Sequence, residues 1–241
     1  MTLSVAGILG LGLVIGMQHA LEADHVAAVS SIAVRQRNVR RIIAHGAIWG
    51  AGHTITLMLF AGAAVLAGAA ISETMAGWLE FTVGFMLVAL GLSVIWRMWR
   101  DRVHFHVHSH DDGKRHFHAH SHAGEAANRH DPRRHEHSHR RGAMARTLII
   151  GMIHGMAGSA ALLVLTAAAA PTPLVGIAYI AIFGIGSIAG MALLSAAIAV
   201  PLTWTACYLT AAHNGLQLAV GATTAGLGLY VMVGKWGALG L

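Results

Sequence analysis

Long apolar runs, broken by short polar ones, dominate this chain. From Thr2 to Val34 the only charged or imidazole groups are His19, Glu22, Asp24 and His25. From Ile42 to Trp96 there are two His and two Glu, and from Thr147 to Gly234 only His154 and His213. Runs of this length exceed the roughly 20 apolar residues that cross a bilayer as a helix. They predict spanning helices over 4–33, 43–70, 77–97, 146–169, 174–200 and 212–234. Arg35, Gln36, Arg37, Asn38, Arg40 and Arg41 end the first, Ser72 and Glu73 follow the second, and the tract from Arg97 to Arg146 separates the third from the fourth. Pro171 and Pro173 separate the fourth from the fifth, and Pro201 is expected to close the fifth. The stretch 202–213, with Trp204 and Tyr208, is expected at the interface, where amphipathic aromatic rings sit well. The fold class expected is all-α, a polytopic membrane protein of about six helices in contact with the lipid bilayer.

Composition agrees. Residues are 56% hydrophobic and only 11% charged, against about a quarter charged in soluble domains. Small residues such as Gly10, Gly12, Gly16, Gly50, Gly52, Gly184 and Gly186 suit helices whose backbones pack closely in lipid. Cys207 is alone, so no internal disulfide is available. The first segment lacks a basic start and a small-residue cleavage site, and reads as a retained helix. Of 16 Lys and Arg, four lie at 35–41 and eleven between Arg97 and Arg146. Both groups follow odd-numbered spans and so share one side, the cytoplasmic one if positive charge is retained there. The expected location is the cytoplasmic membrane, with both termini outside and the long polar loop inside. No nucleic-acid partner is expected.

The two halves resemble each other at an offset of about 135 residues. Ile15-Gly-Met-Gln-His19 pairs with Ile150-Gly-Met-Ile-His154, and Ala47-Ile-Trp-Gly-Ala-Gly-His53 with Ala181-Ile-Phe-Gly-Ile-Gly-Ser187. Val83-Gly84 and Gly91-Leu92 pair with Val220-Gly221 and Gly228-Leu229. Three helices per half is an odd number, so the second copy must be inverted, a 3+3 design used by secondary transporters. The expected organisation is repeat one over 1–99, a His-rich cytoplasmic loop without regular structure over 100–145, and repeat two over 146–241. Asp24 meets Ser159, His25 meets Ala160 and His53 meets Ser187, while His19 and His154 match. That asymmetry points to one site, built mainly by the first half.

His19-Ala-Leu-Glu22-Ala-Asp24-His25 places four polar groups inside an apolar span. A carboxylate at membrane depth costs on the order of 3 kcal/mol, so such groups are usually functional. On a regular helix His19 and Glu22 are neighbours, as are Glu22 and His25, while Asp24 points elsewhere. Either the helix is distorted here, or the site uses a subset completed by other helices. His53 is the first candidate from a second helix and His154 the next. Imidazole with carboxylate suits borderline divalent ions such as Ni, Co, Zn, Cu or Fe, and the absence of thiolate argues against Cu(I). His45 and His213, each near a helix end, read as structural.

The first motif resembles the His-x4-Asp-His signature of the nickel/cobalt transporter (NiCoT) family. Gly52-His53-Thr54 resembles that family's second signature, and Gly151-Met-Ile-His154-Gly-Met-Ala-Gly-Ser159-Ala is similar to its shorter six-helix branch, with urease-associated nickel permeases and nickel/cobalt efflux proteins. Glu22 stands where that family usually has Asp. The resemblance implies that His19, Asp24, His25 and His53 select and pass a nickel or cobalt ion.

Twelve of the 18 histidines lie between His104 and His139. His104, His106, His108 and His110, then His116, His118, His120 and His122, then His135, His137 and His139 alternate with other residues, a pattern suited to auxiliary metal capture. Uptake is preferred, with efflux by the same fold or a metal sensor as alternatives. No resident cofactor is expected, and the ion is cargo. Candidate partners are cytoplasmic metallochaperones or a second copy of the chain. An enzyme is not expected, since neither His-Glu-x-x-His nor paired-His boxes occur, and no Gly-x4-Gly-Lys-Ser/Thr loop is present for nucleotide binding. Imidazole must be neutral to bind metal, so uptake is expected to fall as pH drops through about 6.5.

Overall fold

The computed structural model describes residues 5–34, 36, 38–68, 72–100, 103–109, 115–121, 140–155, 167, 170–208, 210–236 and 239. Its elements in chain order are α1 (Val5–His19), α2 (Ala23–Ala33), α3 (Val39–Ala67), α4 (Glu73–Arg100), β1 (Val103–Ser109), β2 (Arg115–Ser121), α5 (Arg140–His154), α6 (Pro173–Tyr208) and α7 (Thr210–Trp236). Apart from the β1–β2 hairpin, the regular structure described is helical.

Four helices, α3, α4, α6 and α7, are long and apolar enough to cross a membrane. The first expected span is broken: α1 and α2 meet at an angle of 56° across residues 20–22 and together make a fifth. The expected fourth span, 146–169, is represented by α5, and of the residues following Gly155 only 167 is described before Ala170. Outward-facing Leu59, Leu66, Phe85, Leu193 and Tyr230 are all at least 60% exposed, an apolar surface suited to lipid rather than water. Along α4, Trp78 and Trp96 are both exposed and about 27 Å apart at helical rise, close to the hydrocarbon thickness. Trp236 lies near Phe81 at one end of α4, while Trp99 packs on Trp96 at the other. Interfacial aromatic belts have this form.

Local chemistry sets the ends of α3. The Asn38 side chain accepts from the Arg40 and Arg41 amides at 2.9 and 3.4 Å, satisfying donors that the first turn leaves free. At the other end Gly68 adopts φ 61°, a left-handed cap that glycine takes without Cβ strain.

Pro201 does not close the fifth span; α6 continues through it to Tyr208. The proline removes the one helical hydrogen bond that would end on the Ala197 carbonyl, and the rest of the ladder continues; beyond it Thr203 Oγ1 donates back to the Ala199 carbonyl at 2.7 Å and Thr205 Oγ1 to that of Pro201 at 2.8 Å. The expected interfacial stretch is therefore largely the end of a helix, on which Trp204 is exposed.

The helices pack in pairs: α3 on α6, α4 on α7, α1 on α6 and α5 on α3. Glycines form the crossings. A Cβ at Gly16 would strike the Phe183 carbonyl, and one at Gly151 would strike that of Trp49. Likewise Gly186 faces the Leu13 carbonyl and Gly52 that of Leu148. Gly10, expected to act the same way, faces open space. Between α4 and α7, Gly84 lies on the Gly228 carbonyl and Gly91 on that of Gly221. The central core, built on Ala28, Trp49, Leu87, Leu90 and Met191, lies beside the broken helix.

The tract expected to lack regular structure contributes a hairpin, with β1 and β2 antiparallel and His104 opposite His120, His106 opposite His118 and His108 opposite His116. His110, His122, His135, His137 and His139 lie outside the described residues.

Candidate metal site at the broken helix

The break between α1 and α2 resolves the helical geometry that kept Asp24 apart from its neighbours. α1 ends at His19, the Glu22 amide turns back to the His19 carbonyl at 3.1 Å, and Glu22 is extended at ψ 146° before α2 begins. His19 thus sits at the C-terminus of one half-helix, while Asp24 and His25 occupy the first turn of the next. An acidic residue in a first turn is favoured by the amides exposed there, and Asp24 Oδ1 accepts from the His25 amide at 2.9 Å. His53 enters from the middle of α3, and His154 from the last residue of α5.

All six residues predicted for the site come together. His19 Nδ1–H donates to Glu22 Oε1 at 2.8 Å, directing Nε2 inward to lie 3.2 Å from His53 Nε2. Two nitrogens bound to one divalent ion at about 2.0–2.1 Å lie about 3.0–3.4 Å apart, so this pair has a ligand spacing. The Asp24 carboxylate joins two imidazoles: His25 Nδ1–H donates to Oδ1 at 2.8 Å and His154 Nε2–H to Oδ2 at 3.0 Å. His19, His25 and His53 form one possible ligand triad, and Asp24, His25 and His154 a second, with the ligand atoms of each within 4.8 Å of one another. His25 belongs to both. Its ring centroid is 4.2 Å from that of His19 and 4.4 Å from that of His154.

All four histidines are at least 96% buried. Among the described residues, His25 Nε2, His53 Nδ1 and His154 Nδ1 have no hydrogen-bond partner, and neither do the Thr56 and Ser187 hydroxyls. Buried polar atoms are nearly always satisfied. Several orphaned imidazole nitrogens in one cluster, with carboxylates on other nitrogens, form the arrangement that orients histidines toward a metal. Glu22 differs from Asp24 in being half-exposed, and it lies 4.0 Å from His25 Nδ1.

Trp49 was not foreseen as part of the site. Its ring lies 4.9 Å from His154 and 5.2 Å from His25, and stacks on His53 at 5.9 Å. The signal was available, because Trp49 precedes His53 by one helical turn and shares its face. Phe183 similarly covers His19 at 5.3 Å. His45 is also buried, with Nδ1 2.6 Å from Thr147 Oγ1, whereas His213 meets Gln217 and Thr205.

Comparison with known proteins bears on what such a site serves. The chain is 33% identical over 227 residues to the urease accessory protein UreH of Bacillus sp. (strain TB-90), spanning 93% of this chain and 90% of that protein. This chain belongs to the UreH family of urease accessory proteins. That membership agrees with the urease-associated branch to which the motifs are similar. No family model matches the chain, and no solved structure matches it. Within the family, the chain is a multi-pass membrane protein with a buried histidine and carboxylate cluster at a helix break.

Proposed function

We propose that this protein carries nickel, and secondarily cobalt, across the cytoplasmic membrane, in the direction of uptake. The observation that carries the reading is the 3.2 Å approach of His19 Nε2 to His53 Nε2, beside His25 Nε2, which is buried and without a partner among the described residues. The relative's urease-accessory name points the same way, since a nickel-related role and a borderline-metal site agree. His19, His25 and His53 hold the dehydrated ion, while Glu22 and Asp24 fix the imidazole orientations and balance charge. His154, tied to Asp24, gives the second position to which the ion shifts through the shared His25. A site that hands an ion from one triad to another suits passage better than permanent storage. We read a carrier and not an enzyme because the cluster sits at a broken helix among apolar spans, with two overlapping ligand sets for one ion.

The mirrored glycine crossings support a 3+3 inverted repeat: Gly16 on Phe183 matches Gly151 on Trp49, and Gly186 on Leu13 matches Gly52 on Leu148. Rocking of such repeats about a midplane site would expose the cluster to each side in turn. With the basic segments inside, membrane potential favours entry of a dication by roughly 4–5 kcal/mol per 100 mV.

Radioactive nickel accumulation in intact cells tests the reading, comparing wild type, His19→Ala and a deletion of 103–140. Accumulation above background that His19→Ala abolishes supports uptake, with the deletion measuring how much the His-rich tract adds. Accumulation below background, restored by the same substitution, would reverse the direction to efflux. Nickel bound by the protein without altered accumulation would identify a sensor.

A further inference from the structure

The β1–β2 hairpin lies in the connection between α4 and α5, and the site at the broken helix makes no use of it. Alternation along the sequence counts its histidines but pairs none of them; the backbone register does. His104 stands opposite His120, His106 opposite His118 and His108 opposite His116. Successive strand residues alternate between faces, so these six share one face of the hairpin. The intervening positions set Phe105 opposite Ala119 and Val107 opposite Phe117, on the other face. A slip of one residue would set histidines against apolar residues, so the histidine spacing of both strands agrees with this register.

Pairs two residues apart in an antiparallel ladder are of one kind, so the three histidine pairs repeat a single geometry. Residues directly opposite have Cβ atoms about 4.5–5.5 Å apart, whereas successive pairs are about 6.7 Å apart along the strands. Two imidazoles at the shorter spacing can bind one divalent ion with metal–nitrogen distances of about 2.0–2.1 Å. We infer that the hairpin is a metal site separate from the buried cluster, in which registered histidine pairs hold borderline divalent cations across the two strands. Nickel, cobalt, zinc and copper are the ions that imidazole suits. Outside the spanning helices, water is at hand to complete the coordination of each ion. An isolated two-stranded hairpin is marginal in water. Where only the folded form brings the ligands together, the free energy of binding becomes free energy of folding. Occupancy therefore holds β1 on β2 and orders the chain between α4 and α5.

The test uses the full-length chain in detergent, with and without nickel chloride. It follows hydrogen exchange at the amides of 103–109 and 115–121, together with nickel bound per chain. Exchange there should slow when nickel is added. Two double variants keep the same number of histidines: H104Q/H120Q removes one registered pair and leaves two, while H104Q/H118Q breaks two and leaves one. Both retain the buried cluster, so a difference between them belongs to the hairpin. Protection and bound nickel should fall about twice as far in H104Q/H118Q as in H104Q/H120Q, two pairs being broken against one. Equal losses would mean that the tract binds by its number of histidines alone, and would overturn the paired site. Exchange that nickel does not slow would overturn it as well. Neither result touches the transport reading, which nickel flux tests on its own.

Discussion

Two helix crossings, α1 over α6 and α5 over α3, share a backbone design but differ in chemistry. Each brings a glycine against the carbonyl of an aromatic residue, Gly16 on Phe183 in one and Gly151 on Trp49 in the other. Tyr179, Phe183 and Ser187 occupy one α6 face, where α3 carries His45, Trp49 and His53 at matching positions of the repeated motif. The first set is two aromatic rings and a hydroxyl; the second is two imidazoles and an indole. Close backbone approach is therefore a property of the scaffold, and the imidazoles are placed on one crossing. What the α1 crossing contributes comes from its broken end, where His19, Glu22, Asp24 and His25 surround the tip of the α3 set.

If ligands and scaffold are separable, substitutions should sort by which they touch. His53→Ala removes the ligand opposite His19 and should reduce nickel flux to background, whereas Ser187→Ala at the matching place should leave flux near wild type; equal losses would erase the distinction. Asp24→Asn weakens its hold on both His25 and His154 and should lower nickel affinity about 10–100-fold, as loss of an orienting carboxylate does. Glu22→Gln touches His19 more than His25 and is half-exposed, so its effect, read by the same titration, should be several times smaller. Gly16→Ala and Gly151→Ala should each destabilise the protein by about 1–3 kcal/mol, the usual cost of overpacking. Similar shifts in thermal unfolding would support matched crossings, and a large effect at only one would break the match. The smallest effect belongs to Ser31→Ala, far from both crossings. It removes a 2.9 Å bond from α2 to Thr224 on α7, costing about 1 kcal/mol with metal affinity intact.

Much of this was legible in the residues. The apolar runs predict α3, α4 and α7 to within a few positions, and the start of α6 but not its end, because in lipid a long apolar run has few alternatives to a helix. That His19, Glu22, Asp24, His25, His53 and His154 belong together was readable because charged and imidazole groups at membrane depth are costly to leave scattered among apolar residues. The break at 20–22 was visible only as a conflict: a regular helix could not bring Asp24 to the same ion as His19. Sequence spacing states that conflict but not its outcome, which depends on how α3 and α5 pack around the break. Pro201 misleads for a related reason, since α6 runs on through it to Tyr208 with the loss of a single hydrogen bond. His45, read as structural from its place near a helix end, is buried and bonded to Thr147, a contact between distant segments that spacing alone does not show.

Nickel flux into vesicles containing the purified full-length chain tests the central claim most directly, with a metal-quenched dye inside and wild type compared with His53→Ala. The account predicts saturable flux in wild type and none above empty vesicles in His53→Ala, at equal protein content and folding. Equal flux in the two, or nickel bound by wild type without flux, would contradict transport through the buried cluster.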